Sequence, residues 1–106
     1  MRDYLKFYID GAWVDPVEPR TLEVINPATE EAYARISIGS AKDVDRAVKA
    51  ARAAFPAFAA TSRDERVALL ERIVEVYKSR MAAIGEAISE EMGAPMWLAS
   101  TAHAGS

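Results

Sequence analysis

"SRDERVALLERIVEVYKSRMAAIGEAISEEMGAP", residues 62–95, is the longest periodic segment of the chain. Val67, Leu70, Val74, Tyr77, Met81, Ile84 and Ile88 recur three and four residues apart, which predicts an amphipathic helical face. Ser62 and Glu65 form a capping box at its start, and Gly93 followed by Pro95 stops it. Leu69 and Ile73 widen the stripe beyond a two-stranded coiled-coil seam, so this face belongs against a broad surface. A joint near residues 78–80, with Ser79 as a second cap, divides the segment into helices over about 63–78 and 80–92. Residues 96–104 predict one more helix.

Upstream, Ser40 and Asp43 stand at capping-box spacing, with aspartate a weaker substitute for glutamate. Val44, Ala47, Val48 and Ala51 then share a face, and Phe55-Pro56 is expected to end a helix over about 41–55. Before Ser40 the period falls to two. Ala32, Ala34, Ile36 and Ile38 alternate with Tyr33, Arg35 and Ser37, as in a half-buried strand. "LEVI" (22–25) supplies its partner. In "LKFYIDGAWV" (5–14), two aromatic-rich runs flank Asp10-Gly11, a pair suited to a type I′ hairpin turn. The expectation is an α/β chain, α+β within these 106 residues, with hairpins over about 5–38 followed by amphipathic helices in one domain.

Composition narrows the function. A net charge of −3, with 13 basic residues scattered among 16 acidic ones, leaves no basic stripe for nucleic acid or an anionic membrane. The chain has no cysteine, which excludes disulfides, thiolate metal sites and a cysteine nucleophile among these residues. No apolar run approaches the roughly 20 residues that span a bilayer, and "MRDYLKFYIDGAW" lacks the continuous apolar run of a signal peptide. A cytoplasmic location is expected.

The side chains that could carry chemistry each have a plainer role. His103 is the single histidine and has no cysteine or second histidine with which to share a metal. Asp43, Asp64 and Glu65 fall in first helical turns, where the helix dipole favours acids. The five glycines are too dispersed for a phosphate-binding loop. Tyr8 and Trp13 fit cross-strand packing. Asn26, the only asparagine, lies in "VINPATEE" (24–31). Its side chain can accept from an N–H two residues on, and Pro27 presets φ for a turn corner, so it reads as a strand-to-strand turn. No catalytic or cofactor-binding residue emerges.

Taken in order, "IDGAWV" (9–14), "VINPATEE" (24–31), "DVDRAVKAARAAF" (43–55) and "RVALLERIVEVYKSRMAAIGEAISEEMGAP" (66–95) resemble the N-terminal portion of an aldehyde dehydrogenase. The resemblance runs from about Phe7 to Pro95. Glu30 stands where such turns often carry glycine, Ala94 where lysine is common, and Phe58 where tryptophan is frequent. The resemblance implies that the segment forms the outer part of a Rossmann-like cofactor-binding domain. It also implies oxidation of an aldehyde to a carboxylic acid through a cysteine thioester, with NAD or NADP as hydride acceptor and a homodimeric or homotetrameric assembly. The catalytic cysteine, the oxyanion asparagine and the nucleotide loop would lie C-terminal to the matched region, so the chain reads as incomplete and non-catalytic by itself. Some relatives hold a structural cation at positions that correspond here to the Val24 and Ile25 carbonyls and the Glu91 carboxylate. The competing expectation is a small non-enzymatic α+β interaction module that binds through the apolar stripe from Val67 to Ile88.

Overall fold

Asp10 and Gly11 both take positive φ, 55° and 75°, and so close the tight hairpin that their sequence favours. The computed structural model describes residues 1–106. It contains strands β1 (Arg2–Tyr4), β2 (Phe7–Ile9), β3 (Ala12–Val14), β4 (Thr21–Asn26) and β5 (Glu31–Ser37). Helices α1 (Ala41–Ala59), α2 (Arg63–Met92) and α3 (Met96–Leu98) follow, and the backbone widens after α3 into a π-helical turn, Ala99–His103. No helix is long and apolar enough to cross a membrane. The chain divides into two compact units, Met1–Val24 with Ala32–Ala60, and Ile25–Glu31 with Thr61–Ser106.

In the first unit, β2 and β3 pair antiparallel with Tyr8 opposite Trp13. Their rings meet edge to face, centroids 5.2 Å apart, which gives both aromatics the packing role expected of them. The other sheet has the order β1-β5-β4. β1 runs parallel to β5 with Asp3 opposite Arg35, a pairing that the sequence did not lead us to expect. "RDY" has no apolar alternation to mark it as a strand. The alternation foreseen in β5 is only partly realised: Ala34 is buried, whereas Ile36 and Ile38 are exposed. Alanines 47, 50, 51 and 54 of α1 line a shallow groove with the β2–β3 turn, and their small side chains let the hairpin approach the helix closely.

Two helix limits differ from expectation. α1 does not end at Phe55 but continues through Pro56 to Ala59. Proline removes one N–H from the helical ladder, yet its carbonyl still accepts from Ala60 N–H at 3.2 Å, so a further turn forms. The expected joint at residues 78–80 is absent, and α2 is one helix of 30 residues. Ser79 does not cap a new helix. Its hydroxyl donates back to the Val76 carbonyl at 2.7 Å, an internal bond that lets the helix pass through the serine.

In the second unit, the last helical segment folds back on α2 through small residues. Gly85 is buried, and a Cβ there would stand 2.9 Å from Ser100 Oγ. Ala99 and Ala104 are fully buried beside this contact, and Tyr77 donates its hydroxyl to the Ala104 carbonyl at 2.7 Å. Gly93 ends α2 in the left-handed region, φ 71°, and donates its N–H to the Ser89 carbonyl. A Cβ at Gly93 would lie 3.1 Å from Pro27 Cγ. Gly93→Ala therefore combines left-handed strain with a tight contact, and we expect a loss of about 1–2 kcal/mol. A lower urea midpoint for the protein expressed from its complete reading frame is the readout.

Candidate functional site

The asparagine-proline turn is defined by two bonds. Asn26 Oδ1 accepts from Ala28 N–H at 2.9 Å, and the Asn26 carbonyl accepts from Glu30 N–H at 2.8 Å. The side-chain oxygen is thus engaged in shaping the turn, as the sequence led us to expect. Glu30 takes φ 59°. That is the left-handed conformation for which glycine is suited, and it explains why glycine would be comfortable here and why glutamate is strained.

The one buried ionisable side chain is Asp43, 5% exposed. Oδ2 accepts from the Ser40 N–H at 2.9 Å and the Ser40 hydroxyl at 3.1 Å, while Oδ1 accepts from Val17 N–H at 2.9 Å. The carboxylate therefore joins the start of α1 to the connection between β3 and β4. Beside it, Lys42 Nζ lies 3.3 Å from Glu18 Oε1. These hydrogen bonds, the Ser40 N–H foremost and the Val17 N–H next, hold the Asp43 carboxyl below the ordinary aspartate range. Glu65 is held down in the same way by the Ser62 N–H, which donates to Oε2 at 2.6 Å. A carboxylate stabilised in its charged form is the opposite of a poised general acid.

His103 is exposed in the final helical turn. No group of three or more His, Asp or Glu side chains is placed to hold a metal ion. Of the residues that the resemblance associates with a cation, Val24 and Ile25 are consecutive on β4, the former half-buried, and Glu91 is exposed in the last turn of α2. The β1–β5 ion pair and the reach of Asp43 to Val17 were missed by sequence reasoning. Both join residues far apart along the chain, 32 and 26 positions, and leave no local pattern.

The largest chemical feature is apolar surface. On α2, Val67, Leu70 and Val74 line a shallow groove edged by Glu71 and Glu75, with Leu70 61% exposed. On α1, Val44, Val48, Phe55 and Phe58 are exposed. Faces of this kind are built to be covered.

Glu30→Gly should stabilise the fold by about 0.5 kcal/mol and so raise the urea midpoint, the relief of left-handed strain exceeding the added chain entropy. Glu30→Val should lower the same midpoint. For Asp43, the folded-state pKa is depressed, so its stabilisation is present above the ordinary aspartate value and is lost as pH falls through the folded value. Asp43→Asn should lower the melting temperature at neutral pH and flatten its fall below about pH 4.

Comparison with known proteins gives this arrangement a context. The profile described as "Aldehyde dehydrogenase family" matches residues 13–105. A 3-succinoylsemialdehyde-pyridine dehydrogenase from a Pseudomonas species is 52% identical over 96 residues, 91% of this chain and 20% of that protein. The crystal structure of an aldehyde dehydrogenase from Bartonella henselae superposes with a TM-score of 0.97 at 46% identity, covering 99% of this chain and 22% of that one. Aldehyde dehydrogenase C of Pseudomonas syringae, solved as a mutant with NAD+ and octanal, gives 0.89 at 49% identity, over 91% of this chain and 20% of that one. The chain thus spans about a fifth of the length of these relatives.

Proposed function

The chain belongs to the aldehyde dehydrogenase family, and from that premise we propose that it serves as scaffold in an enzyme oxidising an aldehyde to a carboxylic acid with NAD or NADP. The observation that carries this reading is the 46% identity at a TM-score of 0.97 over 99% of the chain. Agreement of sequence and backbone extends over nearly the whole chain, not one motif alone. Since the chain has no cysteine, it supplies no thiolate nucleophile. Its part is mechanical. The hairpins and helices form the outer layer of a cofactor-binding domain, and the exposed apolar faces of α1 and α2 are seats for the remainder of that domain.

The same reading assigns a cytoplasmic enzyme that assembles as a homodimer or homotetramer. It also keeps the Val24 and Ile25 carbonyls and the Glu91 carboxylate as a structural cation site, supported by the resemblance alone. Three protein oxygens are fewer than a calcium-like ion takes, so further donors or waters would have to complete the set. The rival reading of a self-standing interaction module through the stripe from Val67 to Ile88 has no observation of its own, because a dehydrogenase domain accounts for the same face.

Expression from the complete reading frame tests the proposal. The purified protein should reduce NAD or NADP with at least one member of a panel of aliphatic, aromatic and semialdehyde substrates, followed by the absorbance of the reduced nicotinamide. Prior alkylation with iodoacetamide should abolish that activity. A product that reduces neither cofactor with any aldehyde of the panel would overturn the enzyme assignment.

A further inference from the structure

Within these 106 residues, β1 is attached to its sheet without apolar burial. All three of its residues are exposed, and Tyr4 retains 57% of its surface. Polar contacts hold it instead. Arg35 donates through Nε to Asp3 Oδ1 at 2.9 Å and through Nη2 to Asp3 Oδ2 at 3.0 Å, a two-pronged fork between residues directly opposite in the strand register. The Arg2 guanidinium lies 5.5 Å from the centroid of the Tyr33 ring. At the end of the strand, the Ser37 hydroxyl donates to the Leu5 carbonyl at 2.7 Å.

The position of β1 gives this attachment a consequence. β5 is the middle strand of its sheet, so β1 occupies one of its two edges. The next element, the β2–β3 hairpin, forms a separate sheet and does not rely on β1 for its pairing. We propose that β1 is a detachable latch strand, held on β5 by the Asp3–Arg35 fork and able to leave while the β2–β3 hairpin stays folded. Departure uncovers a row of β5 N–H and C=O groups, the kind of edge to which another strand can add.

Ionic strength is the lever at neutral pH. Both side chains of the fork are 44% exposed, and exposed pairs are screened by salt. Two other charged groups face the pair: the N-terminal ammonium acts on Asp3, and Glu23 of β4 acts on Arg35. The bond from Arg35 holds the Asp3 carboxyl below its ordinary range. The latch is therefore engaged above that range and released as pH falls beneath about 4.

Hydrogen exchange read by mass spectrometry tests the latch in the protein expressed from its complete reading frame. Peptides covering residues 1–6 and 7–14 separate β1 from the hairpin. Asp3→Asn should speed exchange in residues 1–6 about two- to fivefold, the range open to an exposed ion pair, and leave residues 7–14 unchanged. About 1 M salt should do the same to the wild type and add little in Asp3→Asn. The double exchange Asp3→Arg with Arg35→Asp should restore protection. Unchanged exchange in Asp3→Asn, equal loss in residues 7–14, or no rescue by the double exchange would each overturn the proposal.

Discussion

No side chain larger than alanine is buried in this chain as a hydrophobic core residue: Ala34, Ala99 and Ala104 are the only three. Burial of large apolar side chains, the dominant favourable contribution in most domains, is not completed within these residues. Within them, local hydrogen bonding marks where the elements start and stop. The Ser62–Glu65 box starts α2, Gly93 ends it, Asp43 starts α1 and reaches back to Val17, and Asn26 shapes its own turn. Where elements do pack, they do so through glycine and alanine, as at Gly85 against Ser100 and along the alanines of α1.

Local devices are readable from sequence because each occupies a few consecutive residues. The Asp10-Gly11 hairpin, both capping positions and the Asn26 turn all appear where residue chemistry puts them. Non-local pairing was not readable. Nothing in "RDY" announces a parallel partner 32 positions away, and Asp43 was understood as a cap acid without its second role at Val17. The two helix limits failed for a related reason. Pro56 and Ser79 are breakers by propensity, and propensity yields when a proline's carbonyl still finds a donor or a serine hydroxyl bonds inside its own helix.

For the site, the sequence offered little: the chain has no cysteine and one histidine, exposed in the structure, and hydrogen bonds favour the charged form of its most buried carboxylate. The family was legible as a resemblance: four modest motifs, taken in order, whose physical content is a series of turns and stops. Glu30 illustrates the link. Its departure from glycine looks like a subfamily detail in sequence, and in the structure it is a left-handed backbone position where that substitution carries strain.

A helix with Val67, Leu70, Ile73 and Val74 all about half exposed carries an apolar stripe that these residues leave uncovered. The width of the stripe, which argued against a narrow coiled-coil seam, argues equally for a broad seat. Reacting groups need positions fixed to within a fraction of an ångström, and rigidity of that order comes from layers packed on both sides. An element that supplies one such layer can be catalytically empty and still govern where the reacting groups stand.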